Sequence, residues 1–356
     1  MTEISIDSRS IGHDQPTYFI ADIAANHDGS LDRAKNLIRL AKEAGADAAK
    51  FQHFTADKIV SDVGFRTLGR QLSHQASWKK SVTEVYEDAS VPSDWTTMLK
   101  KECDRVGITF FSSPYDLGAV DHLDQFVPAF KIGSGDIDWL EHLEHIALKG
   151  KPVIISTGAA DIGDVQRAVE TVLRHNNQLA ILQCNTNYTA SDENFDHLNL
   201  RVLETFSALW PNVVLGLSDH THGPAAVLGA VALGARIIER HFTDDNGREG
   251  PDHKFALDPD AWRSMVNETR KLERALGSPL KSVTPNEVDS AVVQRRCIRA
   301  ARDLHTGDLL TRDDVIVLRP ATPGAMTPDQ VDSLIGMTVL HHLEAGGAIG
   351  IGDIGR

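Results

Sequence analysis

At 356 residues, 41% of them hydrophobic and 24% charged, the chain has the composition of an ordinary globular protein, long enough for a large core and two domains. A formal net charge of −14 argues against a nucleic-acid-binding surface and against adsorption to anionic membrane, so an anionic substrate would need a local basic pocket. The three cysteines, Cys103, Cys184 and Cys297, are scattered without metal or redox spacing, residues 1–10 carry no basic leader and no apolar run reaches membrane-span length, so a cytoplasmic protein is expected.

In chain order, residues 18–21 predict a short strand that runs into Asp22 and the loop to Gly29. A helix follows over 30–44, with Ser30 as N-cap, a periodic apolar face and Gly45 as its stop. Residues 48–51 make a second strand that delivers Lys50, Gln52 and His53. The polar excursion 55–92 is too long for a turn and predicts a lid or substrate loop with some helix. Strand–helix alternation is then regular: strands over 108–111, 129–132, 153–155, 179–182, 213–217 and 237–238, and a last helix over 261–276. Eight such units in roughly 280 residues fit an α/β (β/α)8 TIM barrel. An open dinucleotide-binding sheet would show a glycine-rich turn after the first strand, and 22–29 has none. The domain reading is a barrel over 1–280, a polar linker over 281–290 and a small, mostly β domain over 291–356, whose modest core predicts packing against the barrel or another subunit.

Strand C-termini form the active face of such barrels, so the residues there are the functional candidates. His220 and His241 lie 21 positions apart, each just past a strand end, and together suit a divalent metal with open positions. Lys50 and Lys131, with Ser112, Ser113, Ser134, Ser156 and the Gly133–Gly135 backbone, read as a cradle for phosphate or carboxylate. Asp22, Asp136, Asp219, Glu239 and Asp252 are acids available as base, metal-orienting partner or sugar ligand, and Asp22 is the strongest base candidate. Tyr188 can stack on a sugar or serve as a wall.

At these residues the chain resembles the N-acetylneuraminate (sialic acid) synthase family. The likeness spans nearly the whole chain and includes IADIAANHDGSLDRAKNLIRLAKEAGADAAKFQ, SSPYD, FKIGSGD, IISTG, QCNTNY, GLSDHTHG and IIERHFTDDNGREGPDHK. The C-terminal stretch, with LHTGDLLTRDDVIVLRPATPG, resembles that family's antifreeze-like (SAF) domain. The resemblance implies condensation of phosphoenolpyruvate with the open-chain aldehyde of an N-acyl amino sugar such as N-acetylmannosamine, with release of phosphate. It implies a metal, manganese foremost and magnesium or cobalt as alternatives, on His220 and His241. Phosphoenolpyruvate would be bound by Lys50, Ser113, Lys131, Ser134, Ser156 and Ser218, and the sugar by Tyr188, Asp252 and Arg319. Gln52, Asp136, Asn185 and Glu239 are further candidates. The implied assembly is a domain-swapped homodimer in which Arg319 enters the partner's barrel.

Two positions depart from the family pattern, Asp22 and Asp136 standing where most members carry Glu. A carboxylate one methylene shorter retracts by ~1.5 Å, which bears on acceptor choice more than on the reaction itself. Competing expectations are a sibling synthase using a legionaminic- or pseudaminic-type sugar or a sugar phosphate, a disabled sugar-binding barrel, and a Schiff-base aldolase. The last would need a lysine desolvated among apolar neighbours rather than polar ones.

Overall fold

The chain begins with an antiparallel hairpin, β1 (Glu3–Ile6) and β2 (Arg9–Gly12), that the sequence pattern had not announced. Its two-residue turn holds Asp7 and Ser8 at φ 48° and 64°, the left-handed pair of a type I′ turn. Alternation in β1 turns Ile4 and Ile6 inward while Glu3 and Ser5 face out. The computed structural model describes residues 3–70, 75–76 and 78–356, which divide into two units at Gly277/Ser278.

In the first unit eight parallel strands follow: β3 (Tyr18–Asp22), β4 (Ala48–His53), β5 (Thr109–Pro114), β6 (Phe130–Ile132), β7 (Val153–Ser156), β8 (Leu179–Cys184), β9 (Val214–Asp219) and β10 (Ile237–His241). Their hydrogen-bonded order is β5-β4-β3-β10-β9-β8-β7-β6, and the two end strands, β5 and β6, lie against each other, so the sheet curls into the expected barrel. Helices α1 (Leu31–Glu43), α5 (Trp95–Val106), α6 (Leu117–Leu123), α7 (Leu140–Ala147), α8 (Ile162–Leu173), α9 (Val202–Leu209), α10 (Ala225–Ala232) and α11 (Pro259–Leu276) surround it. The predicted cap of α1 is present, the Ser30 hydroxyl accepting from Arg33 N–H. One apolar layer lies between strands and helices, and a second fills the barrel's lower interior, where Ile4, Ile6 and Ile11 of the hairpin meet Tyr18, Phe111, Ile154 and Ile237. The hairpin therefore plugs the bottom of the barrel.

Most strands run further than their apolar runs suggested: β4 continues to His53, β9 to Asp219 and β10 to His241. Apolar residues mark only where a strand packs under a helix, whereas ladder hydrogen bonds continue through polar residues as well. His241 is therefore the last residue of its strand rather than a loop residue. Among its described residues the excursion after β4 holds three short helices, α2 (Ala56–Ile59), α3 (Asp62–Thr67) and α4 (Val82–Ala89), the last opened by a Ser81–Glu84 capping box.

In the second unit, the span read as a linker holds a 3-10 turn at Pro285–Glu287 and the start of α12 (Val288–Gln294), so the expected β domain opens on helix at 291–294. Strands β11 (Cys297–Ala300) and β12 (Val315–Leu318) pair antiparallel, as do β13 (Thr338–Val339) and β14 (Ile354–Gly355), with α13 (Val331–Leu334) between. Ile298, Leu304, Leu310, Leu334 and Ile349 make a small core of their own.

Ile6 is fully buried in the plug. Ile6→Ala should lower unfolding stability by about 2–4 kcal/mol, read from the denaturation midpoint at unchanged m-value; a loss below about 0.5 kcal/mol would contradict the plug.

Candidate active site

Register brings the site together. His241 pairs with Asp22 and Asp22 with Lys50 across three adjacent strands, while Glu239 pairs with Ser218. Lys131 in β6 and Ser156 at the end of β7 come from the other side of the barrel. Both lysines, Asp22, Glu239, Ser113, Ser156, Ser218 and the two histidines are all buried.

Two lysines and two carboxylates form the floor. Lys50 Nζ lies 2.6 Å from Asp22 Oδ2 and 3.8 Å from Glu239 Oε2, and Lys131 Nζ lies 3.4 Å from Glu239 Oε1. Burial opposes the charge on Lys50, but Asp22 and Glu239 outweigh it and hold its ammonium above the usual range. For Lys131 burial wins and the direction is downward, with Glu239 offsetting only in part; its ammonium also donates to the Ile132 carbonyl at 2.7 Å. Neither lysine has the apolar surroundings that Schiff-base chemistry asks for. Asp22 is not a free base: Oδ1 accepts from Ala24 N–H at 3.1 Å, and Gln52 Nε2 approaches Oδ2 at 3.5 Å.

Around this floor several hydroxyls await partners. The Ser113 and Ser156 Oγ atoms are buried without a hydrogen bond, as is Glu239 Oε2. Buried polar groups are seldom left unpaired, so these mark where a polar ligand fits. The Ser134 hydroxyl accepts from Gly158 N–H at 3.0 Å, and Ser218 Oγ donates to Glu239 Oε1 at 3.3 Å. Gly158 leaves room for these side chains, since a Cβ there would fall 2.4 Å from Thr186 Cγ2 and 2.9 Å from Ser134 Oγ and would force them to shift. Cys184, at the end of β8, touches His220, Ser134 and Ser218, a placement the scattered cysteine pattern did not signal.

The imidazoles of His220 and His241 face each other with ring centres 5.4 Å apart. Burial opposes charge on His220, but its bond to the Cys184 thiol and the donation from Nδ1 to the Asn185 carbonyl at 2.9 Å raise it above the ordinary histidine range; Asn185 in turn is tied through its side chain to His197 O and Asn187 N. Burial, reinforced by the positive charges of His220 and Lys50, keeps His241 neutral, well below the ordinary histidine range, and its Nδ1 has no hydrogen-bond partner. Among the described residues no group of three or more His, Cys, Asp or Glu forms a ready cage. The orphaned Nδ1 of His241, beside the His220 ring, would fit a divalent cation that displaces the proton on His220 and leaves its other positions to substrate and water.

Above the floor lies an aromatic and acidic rim. Tyr188 packs against His220 at 4.4 Å and His241 at 6.3 Å, and Phe255 packs at 4.8 Å from His241. Asp252 Oδ2 accepts from Ala25 N–H at 3.1 Å and stands 3.9 Å from His241 Nδ1. Burial, with the charge of Asp22, pushes the Asp252 carboxyl up to about 6; burial and Asp138 push Asp136 up to about 6 as well. The excursion supplies Tyr86, whose phenol is raised by burial and by the charges of Asp252 and Asp136, and which contacts Phe54 at 5.5 Å. Tyr115, just past β5, joins this wall through Phe54 at 5.6 Å. Neither tyrosine was predicted; Tyr115 sits in the SSPYD strand end, and Tyr86 carried no signal beyond its place in a long insertion. Asp219 turns aside to hold Arg240 at 3.1 Å and cap Thr221, so it braces the β9 loop. Arg319 belongs to the second unit, where its Nε donates to Gln294 O at 2.5 Å. A charged groove lined by Arg9, Asp47, Arg263 and Glu273 lies at the opposite end of the strands and shares no residue with this site.

Fold and site together define a barrel enzyme with a buried floor of two lysines and two carboxylates and a polar, aromatic rim. Residues 37–281 match the NeuB family and 295–354 match the SAF domain, and the chain belongs to the NeuB family. It is 35% identical to human N-acetylneuraminate-9-phosphate synthase over 94% of this chain and 92% of that one. It is 34% identical to the N,N'-diacetyllegionaminic acid synthase of Legionella pneumophila, over 94% of each chain. Among solved structures, the spore coat polysaccharide biosynthesis protein SpsE of Bacillus subtilis is similar at a TM-score of 0.66 and 33% identity, covering 99% of both chains.

The Asp136 shift gives a pH test. An ordinary Asp loses its proton near 3.9, whereas the folded site holds this one to about 6, so the folded state binds more protons between those values and stability falls as pH rises through them. Asp136→Asn should therefore gain about 1–2 kcal/mol relative to wild type on going from pH 4.5 to 7.5, measured by denaturant unfolding. A pH-independent difference would place Asp136 in water.

Proposed function

We propose that the protein condenses phosphoenolpyruvate with the open-chain aldehyde of an N-acyl amino sugar, an N-acetylmannosamine-like acceptor, giving a nine-carbon α-keto acid sugar and phosphate. The observation that carries this reading is the pair of buried ammonium groups, Lys50 and Lys131, beside the unpartnered hydroxyls of Ser113 and Ser156 at the mouth of a NeuB-family barrel. Such a constellation suits a small ligand with both phosphate and carboxylate.

In this scheme Lys50, Lys131, Ser113, Ser134, Ser156 and Ser218 hold phosphoenolpyruvate, while Tyr188, Asp252 and the aromatic rim hold the sugar. His220 and His241 would hold a divalent metal, manganese before magnesium or cobalt, which when bound polarises the aldehyde as a Lewis acid. The floor lysines fix C3 of phosphoenolpyruvate against the aldehyde carbon, and the carbon–carbon bond forms there. Positive character then develops at C2, next to the Asp22 and Glu239 carboxylates. Water adds at C2, Asp22 takes its proton once the bound phosphoenolpyruvate has drawn Lys50 away from it, and C–O cleavage expels phosphate. Orientation and fixed charge each supply several kcal/mol in such sites. The reading extends to a homodimer in which Arg319 of the partner subunit completes the sugar site. Exposed apolar side chains on the second unit, including Leu309 and Ile351, support a covered face there.

Phosphate should appear from phosphoenolpyruvate only with both acceptor and Mn²⁺, EDTA should abolish it, and Lys131→Ala should lower kcat/KM for phosphoenolpyruvate by about 10²-fold or more. Release without acceptor, or undiminished in EDTA, would contradict the scheme. Arg319→Ala should raise the acceptor KM roughly tenfold and leave the oligomeric state by light scattering unchanged; an unchanged KM would remove Arg319 from the site.

A further inference from the structure

A group outside the floor and the histidine pair bonds the loop that carries Asp252. The loop after β10, residues 242–258, carries Asp252 and Phe255, and Asp28 of the loop after β3 holds it through two side chains, His253 and Arg248. His253 lies fully buried between them. Its Nε2 is 2.9 Å from Asp28 Oδ1 and its Nδ1 is 2.7 Å from Thr243 Oγ1. A carboxylate accepts only, so Nε2 carries the proton and donates to Asp28. The other oxygen, Oδ2, accepts from Arg248 Nε at 2.9 Å and lies 3.1 Å from Arg33 Nε. Arg33 itself donates to the Asn26 carbonyl at 2.8 Å and pairs through both terminal nitrogens with Asp244. Asn26 closes the same seam by donating to Phe242 O at 3.0 Å.

The backbone is shaped to permit this clasp. Asp28 has φ 49° and is followed by Gly29 at φ 68°, a left-handed pair that turns the carboxylate toward the other loop. Gly250 passes directly over the His253 ring, where a Cβ would fall 2.6 Å from Cδ2 and 3.1 Å from Nε2. The run GREGPDH thus has a structural reason at four places: Arg248 and His253 reach Asp28, Gly250 leaves room, and Asp252 faces the site. Adjacent to the clasp, Asp252 accepts the Ala25 N–H, and Phe255 covers His241 and Tyr188.

We propose that Asp28 is a positioning residue for the acceptor: through His253 and Arg248 it fixes the loop that presents Asp252, and so governs acceptor binding without touching phosphoenolpyruvate. This rests on the reading of the rim as the acceptor site. Lys50, Lys131 and the serines belong to other strands and have no bond to Asp28, so the two substrates should respond separately.

The test uses the full-length protein with Mn²⁺, an amino-sugar acceptor and phosphoenolpyruvate. Asp28→Ala should raise the acceptor KM about tenfold or more with the phosphoenolpyruvate KM within about twofold, while Asp28→Asn, which still accepts from His253 and suits the positive φ, should recover most of the loss. Arg248→Ala, a change at an exposed partner of the same carboxylate, should raise the acceptor KM about threefold and keeps the test decisive if Asp28→Ala does not fold. Hydrogen exchange supplies a readout that needs no turnover: deuterium uptake in residues 244–255 should rise in Asp28→Ala with the floor strands unchanged. An unchanged acceptor KM, both KM values rising together, or unaltered exchange would overturn the proposal. If wild type turns over no acceptor, the condensation reading fails, and the exchange measurement still decides whether the clasp holds the loop.

Discussion

The site depends on four opposite charges kept out of water. Lys50 and Lys131 alternate with Asp22 and Glu239 across the inside of the barrel, each almost wholly buried. Burying a lone ammonium there would cost several kcal/mol, and the carboxylates offset that cost by proximity and hydrogen bonding. The arrangement is neutral as a set, so it holds its shape without ligand. It is also incomplete, because Glu239 Oε2 and two serine hydroxyls have no hydrogen-bond partner among the described residues. An arriving dianion can take over the ammonium groups and the hydroxyls together, in a region of low dielectric where such contacts are strong.

That floor is possible because the fold separates rigidity from variation. Parallel ladders fix Lys50, Asp22 and His241 at one level without any contribution from loops. The hairpin plugs the far end, so the interior is packed below and open above. Loops then add what the strands cannot: Tyr86 from the long excursion, and Asp252 and Phe255 from the loop that Asp28 clasps. The lysine floor is therefore built on strands and the aromatic, acidic rim on loops, which suits a family whose relatives carry the names of different sugar acids.

Much of this was legible in the sequence, for identifiable reasons. Strand–helix alternation at regular spacing implies the barrel, and the placement of active residues at strand ends leads to Lys50, Lys131, His220 and His241. Strand ends were misjudged, as with His241, because hydrophobicity reports packing under helices and is silent about ladder bonds. The hairpin was missed because four-residue strands carry too little alternation to stand out, although Ile4 and Ile6 show it in retrospect. The roles of Asp28 and His253 were hidden for another reason: their bond spans 225 positions and depends on two loops meeting. Arg240 and Asp219 likewise pair by proximity on adjacent strands, which no local pattern encodes. Asp219 consequently drops out as a base.

The most direct measurement is a crystal structure of the protein soaked with phosphoenolpyruvate and Mn²⁺, with anomalous scattering recorded for the metal. The account predicts Lys50 and Lys131 Nζ and the Ser113 and Ser156 hydroxyls about 3 Å from phosphate or carboxylate oxygens, with manganese between the His220 and His241 rings. Phosphoenolpyruvate bound away from the two lysines, with Lys50 still held by Asp22, would contradict it.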